Sequence, residues 1–137
     1  MTKETSKNSD LKPQTHIKYN RKMIGKMGEL IAKKFLLKKG YEIVATNWGN
    51  KWGEIDIVSK NNNVYTFVEV KTKVGDAFGI PEDMISNLKL NKIKKMAYLF
   101  LSGQDIINTS LKIDVISIVL SKEYKILKLR HHTSLTS

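Results

Sequence analysis

The sequence predicts a single α/β domain, and three observations carry that expectation. Two segments place apolar side chains at helical spacing. Five shorter segments are rich in β-branched and aromatic residues, giving the order helix, three strands, helix, two strands. The chain has 137 residues, the usual size of one domain, and 41% of them are apolar, enough for a real core. No internal repeat is visible.

Residues 1–20 are polar, charged and aperiodic, with Pro13 among them, so a disordered basic arm is expected there. The folded domain is expected over 21–130, with 131–137 as a C-terminal tail. In the first helix, over 21–39, Ile24, Met27, Ile31 and Phe35 recur on one face while Lys22, Lys26 and Lys33 gather on the other. Gly40 stops it. Residues 41–46 predict a short strand, and 47–53 a loop holding Trp48 and Trp52.

Residues 54–59 and 64–73 predict the next two strands, joined by the turn Lys60, Asn61, Asn62, Asn63. After a loop over 75–81, Ser86 is the candidate cap of a helix whose apolar face is Leu88, Ile93, Met96, Ala97, Phe100 and Leu101. Gly103 ends that helix. Residues 111–120 and 124–129 predict the last two strands.

The net charge of +11 is uneven along the chain. Residues 1–40 hold eleven Lys or Arg against three acids and 81–137 hold nine against five, whereas 41–80 hold four against five. Basic flanks around a locally acidic centre suit a surface that attracts a polyanion and a pocket that attracts a cation. A lysine-rich solvated surface reads the same way. There are no cysteines, which excludes a disulfide framework and a thiolate zinc site. No segment is apolar enough to span a membrane and the N-terminus lacks a signal-peptide apolar core, so a cytoplasmic protein is expected.

The feature that needs a chemical reason lies between Gly53 and Lys73. Glu54, Asp56, Glu69 and Lys71 interrupt two apolar strands that bury Ile55, Ile57, Val68 and Val70, and an unpaired buried charge is costly. Side chains alternate along a strand, so Glu54 shares a face with Asp56 and Glu69 with Lys71. If Ser59 pairs with Val64 across a four-residue turn, Glu54 falls opposite Glu69 and Asp56 opposite Phe67. All four charged groups then face one way, and Glu69 lies directly across from one carboxylate and diagonal to the other, roughly 5 to 8 Å at Cβ. Carboxylates so close repel unless one is protonated or a cation joins them.

A hard divalent ion such as Mg²⁺, or Mn²⁺ in its place, resolves that conflict. Lys71 would then stand beside the metal and a bound phosphate, orienting the attacking water or stabilising the charge that develops, an arrangement suited to phosphodiester hydrolysis. The same residues also suit a solvated hairpin face whose charges pair with one another.

Gly28, Glu29, Gly40, Tyr41, Asn47, Trp48, then Gly53, Glu54, Ile55, Asp56 and later Phe67, Val68, Glu69, Val70, Lys71 and Thr72 resemble the YraN family of bacterial proteins, over about residues 21–130. That family is similar to the Holliday-junction resolvases and the wider restriction-endonuclease-like nucleases. The resemblance implies a restriction-endonuclease-like core with a mixed central sheet flanked by helices, acting as a Mg²⁺-dependent DNA endonuclease with branched or structured DNA as a candidate substrate. It implies Asp56 and Glu69 as metal ligands, with Glu54 supporting them or binding a water of the metal. It also implies Lys71 as the catalytic lysine and Glu29 as a further carboxylate from the first helix.

Glu29 equally suits a surface ion pair with Lys26 or Lys33. Asp114 matches the family and is expected to be structural. A homodimer is open by analogy with junction resolvases. The alternative function is a non-catalytic nucleic-acid-binding or accessory protein that keeps the nuclease fold.

For DNA contacts the candidates are Lys22, Lys26, Lys33, Lys92 and Lys95, with Lys89 and Lys94 nearby and Lys92 favoured. Trp48, Trp52 and Phe78 are candidates for stacking on unpaired bases, although tryptophan more often packs within a fold. His16 falls in the expected arm, and His131 and His132 are expected to be solvated at the chain end.

Overall fold

The computed structural model describes residues 18–75, 85–106 and 109–135. They run as α1 (Arg21–Lys38), β1 (Glu42–Asn50), β2 (Gly53–Asn61), β3 (Val64–Val74), α2 (Asn87–Gly103), β4 (Leu111–Leu120) and β5 (Ile126–His132). The five strands form one mixed sheet in sequence order. Strands β1, β2 and β3 make an antiparallel meander, α2 carries the chain across to β4 parallel to β3, and β5 returns antiparallel.

Each helix begins where a side chain satisfies an otherwise unpaired amide. Asn20 accepts a hydrogen bond from the Met23 N–H at 2.9 Å, and Ser86 accepts one from the Lys89 N–H at 3.1 Å. The helices then cover opposite faces of the sheet. Ala32 and Leu36 of α1 pack with Ile57, Val68, Ile116, Ile118 and Leu120. On the other face Leu90, Ile93, Met96, Ala97, Phe100 and Leu101 of α2 pack with Ile55, Val58, Phe67 and Ile113. Leu88, expected on the apolar face of α2, instead points to solvent in its first turn, 71% exposed.

Three expected boundaries are corrected. First, the tryptophan loop is strand: β1 runs to Asn50, and Trp48 pairs with Ile55 and sets its ring edge-on to Phe100 at 5.1 Å. Second, the β2–β3 turn is two residues, not four. Asn61 pairs with Val64, and Asn62 and Asn63 take φ values of 51° and 64°, the left-handed pair that asparagine tolerates and that matches strand twist.

Third, β5 starts and ends two to three residues later than expected, because Tyr124 (φ 65°) belongs to the preceding turn, where it stacks on Tyr19 at 4.3 Å. Both histidines are therefore strand residues, not a solvated tail. Of the expected arm, residues 1–17 lie outside the described residues.

Candidate functional site

The β2–β3 ladder stops at Ile57 paired with Val68. Ile55 and Ile57 should share a face, yet they belong to the cores on opposite sides of the sheet. The strand therefore rolls between them, and Asp56 sits at the roll. There the Val70 main-chain N–H donates to Asp56 Oδ2 at 2.8 Å, so the carboxylate takes a hydrogen bond that a regular ladder would give to backbone.

Continuing the observed register sets Asp56 across from Glu69, two residues away from the expected pairing. An even shift keeps the side-chain parity, which is why the cluster survives the error in the turn.

Glu69 is buried, and its Oε2 lies 3.5 Å from Lys71 Nζ and 3.7 Å from Lys89 Nζ. Among the described residues no cation pairs with Asp56 in this way. Burial, then the charge of Glu69 and further off that of Glu29, push its carboxyl up to about 7 against the opposing pull of the Val70 N–H. At neutral pH Asp56 is thus poised between proton and charge.

The four groups Glu29, Asp56, Glu69 and Lys71 line one cleft of about 660 Å³, with Arg21 and Gly25 at its α1 wall and the end of β3 as its floor. Glu54 lies in an adjoining hollow of about 400 Å³ with Lys22, Lys26, Glu29 and Asn47. Asn47 joins the two spaces: its Nδ2 donates to Glu29 Oε1 at 3.0 Å and reaches Glu54 Oε1 at 3.4 Å. Among the described residues no three acidic or histidine side chains converge into a ready-made metal cage. The acidic pair is Asp56 with Glu69.

Lys22 and Lys26 border the second hollow, and Lys26 and Lys33 a smaller one of about 180 Å³ beside it, so the α1 lysines form a basic margin to the acidic cleft. Lys92 and Lys95 are exposed on α2 and do not line the cleft. The contribution of that helix is Lys89 in its first turn, for which the only sequence signal was its place just after the Ser86 cap. The part played by Asn47 was not foreseen either, since its side-chain partners lie 18 and 7 residues away. Trp48 belongs to the core, Trp52 is 72% exposed, and Phe78 lies outside the described residues, as does His16.

On β4, beside Val68 of β3, Asp114 is buried, as its expected structural part requires. Its Oδ2 is 2.7 Å from His131 Nε2 and its Oδ1 accepts the Ser134 N–H at 2.9 Å. Lys39 Nζ lies 3.3 Å from His131 Nδ1. Burial and the Asp114 charge raise the Tyr41 hydroxyl above its ordinary pKa. This group ties the C-terminal cap of α1, β4 and β5 together, and none of its members lines the cleft.

The sheet, its two covering helices and the carboxylates at the split between β2 and β3 define an α/β domain with a restriction-endonuclease-like core. The model of the uncharacterised protein family UPF0102 matches residues 28–118, a span that opens at Gly28 and holds Glu29, Asp56, Glu69 and Lys71. The chain belongs to that family, the YraN family. It is similar to the UPF0102 protein of Dictyoglomus thermophilum, 39% identical over 79% of this chain and 92% of that one. Similar too are those of Caldanaerobacter subterraneus subsp. tengcongensis, 36% identical over 84% and 94%, and Alkaliphilus metalliredigens, 34% identical over 77% and 92%. Among the described residues no helix is long and apolar enough to cross a membrane.

Proposed function

We propose that the protein is a Mg²⁺-dependent endonuclease that hydrolyses DNA phosphodiester bonds, with branched or otherwise structured DNA as its substrate. The observation that carries this reading is the juxtaposition of two carboxylates, Asp56 and Glu69, beside Lys71 in an open cleft with a basic margin. Two adjacent carboxylates, one of them lifted to about 7 by burial and then by the charge of the other, are a suitable donor set for a hard cation. Mg²⁺ keeps several of its own waters and takes only one or two protein carboxylates, so a three-ligand cage is not required.

Asp56 and Glu69 would hold the ion, and when bound it supplies positive charge against phosphate oxygens. Asp56 is aimed by the Val70 N–H, and Glu69 by Lys71 and Lys89. The Lys71 ammonium lies at the cleft with its side chain about one-third exposed, placed to orient a water or to neutralise charge developing on the phosphate. Glu29, steadied by Asn47, presents a proton-accepting carboxylate to the same space. Lys22, Lys26 and Lys33 suit phosphate contacts along the strand leading in.

The test is cleavage of linear, flapped and four-way-junction DNAs with and without Mg²⁺, using wild type, Asp56→Ala and Glu69→Ala. Cleavage by wild type that depends on the metal and disappears in both variants, with DNA affinity nearly intact, supports the reading. Undiminished cleavage in both variants would sink it.

One observation favours a non-catalytic DNA-binding protein on the same fold: Lys71 and Lys89 balance the charge of Glu69 without any metal. That reading expects salt-sensitive DNA binding and no cleavage with either Mg²⁺ or Mn²⁺.

A further inference from the structure

We infer that Trp52 is a stacking platform for an unpaired base of the DNA strand entering the cleft, which makes DNA with single-stranded character the substrate class of the site; this rests on the nucleic-acid reading above. Trp52 lies at the tip of the β1–β2 hairpin, between Asn50 and Gly53, which pair with each other. Its side chain does not serve the fold: it is 72% exposed, whereas Trp48 in the same hairpin packs on Phe100.

The tip is nonetheless held in place. Asn50 Oδ1 accepts the Trp52 N–H at 2.8 Å. A side chain at Gly49 would collide with the Gly53 carbonyl, and a Cβ at Gly53 would come within 3.2 Å of Met96 Cγ, so the hairpin stem is packed tightly on itself and on α2. A large aromatic ring is thereby held out to solvent on a well-supported tip, in position to meet a flat partner.

The surroundings say which kind. Lys51 Nζ stands over one face of the Trp52 ring, 5.0 Å from its centroid, which leaves the opposite face for a base and puts a cation within reach of its phosphate. Two residues on, Glu54 borders the hollow that Lys22 and Lys26 line. Asp56 is four positions along the chain from Trp52, at most roughly 13 Å at the rise of extended strand. A nucleotide a few positions from the phosphate in the cleft would meet an indole and an ammonium together, the pairing that holds single strands through base stacking and backbone charge. A base inside a duplex has both faces covered by its neighbours, so only an unpaired base offers a face to the ring.

The experiment measures binding in EDTA, where cleavage plays no part, by fluorescence anisotropy of a labelled 20-nucleotide oligo-dT and of a blunt 20-base-pair duplex. Trp52→Ala is expected to weaken oligo-dT binding about tenfold, within the range for loss of one stacked base. Trp52→Phe should recover most of that loss, and duplex binding should be unchanged in both variants. Intrinsic emission should be quenched by oligo-dT in wild type and not in Trp52→Phe, which keeps Trp48.

An equal loss on both DNAs, or on neither, overturns the inference. So does a change in self-association or protein capture without a change in oligo-dT affinity. Failure of wild type to cleave any DNA, with Trp52-dependent binding intact, counts against the nuclease reading alone.

Discussion

Gly28 of α1 and Thr72 of β3 touch directly: a Cβ at position 28 would run into the Thr72 hydroxyl. That hydroxyl is buried and has no hydrogen-bond partner among the described residues, so shape alone sets the spacing. The contact lies one residue from Glu29 and one from Lys71. It fixes the gap between helix and strand across which Glu29 faces Asp56 and Glu69.

Gly28→Ala is therefore expected to destabilise by about 1–3 kcal/mol through overpacking. In an ordinary helix interior the same change stabilises by up to about 1 kcal/mol. Gly25, with open space around it, is the control: Gly25→Ala should raise the urea midpoint while Gly28→Ala lowers it. Adding Thr72→Ala to Gly28→Ala should restore much of the loss. Equal midpoints for the two glycine variants would show that the contact does not constrain the helix.

Asp56 predicts a pH dependence of stability. Its folded pKa of about 7 lies above the ordinary 3.8, so between those values the folded chain keeps a proton that the unfolded chain releases. Without metal, stability therefore falls as pH rises from about 4 through about 7, at up to about 1.4 kcal/mol per pH unit from this group. Asp56→Asn keeps an acceptor for the Val70 N–H and removes the charge. In EDTA it should match wild type near pH 3 and exceed it by on the order of 2 kcal/mol at pH 8. Urea titrations at the two pH values decide it, and no gain at pH 8 would show that the carboxylate is not strained.

The Asp114–His131 pair, which does not line the cleft, makes a prediction of its own. Asp114→Ala leaves the Ser134 N–H and the buried imidazole without their acceptor and should cost about 3 kcal/mol. Asp114→Asn, which can still accept from Ser134, should cost less. Thermal melting separates the two, and DNA affinity of the folded variants should stay at the wild-type level.

The α1 lysines and the α2 lysines should differ in DNA binding. Lys26→Ala and Lys33→Ala remove charges that border the acidic cleft, so each is expected to weaken binding and lower the salt slope by about one. Lys92→Ala and Lys95→Ala, outside that margin, should change little. Equal effects from the two helices in salt titrations would place the DNA across both.

The alternation of charged and apolar residues in β2 and β3 made Asp56, Glu69 and Lys71 legible in the sequence, as did the cap at Ser86 and the apolar run of β4. The two-residue turn at Asn62 and Asn63 was harder to read, since four polar residues in a row fit either turn length. The buried environment of His131 was not legible, because its partners Asp114 and Lys39 are 17 and 92 residues away.

What the sequence determined by itself was therefore local: the kinds of element, their order, and the parity that puts the acidic residues on neighbouring strands. These follow from spacing along the chain, which fixes which side chains share a face whatever the exact register. Only the tertiary structure decided that β2 rolls at Asp56, that Lys89 reaches Glu69 and that Asn47 bridges Glu29 and Glu54. It also decided that Trp52 is exposed where Trp48 is not. Those relationships arise where separate elements meet and burial changes the cost of each charge, and no spacing along one segment encodes them.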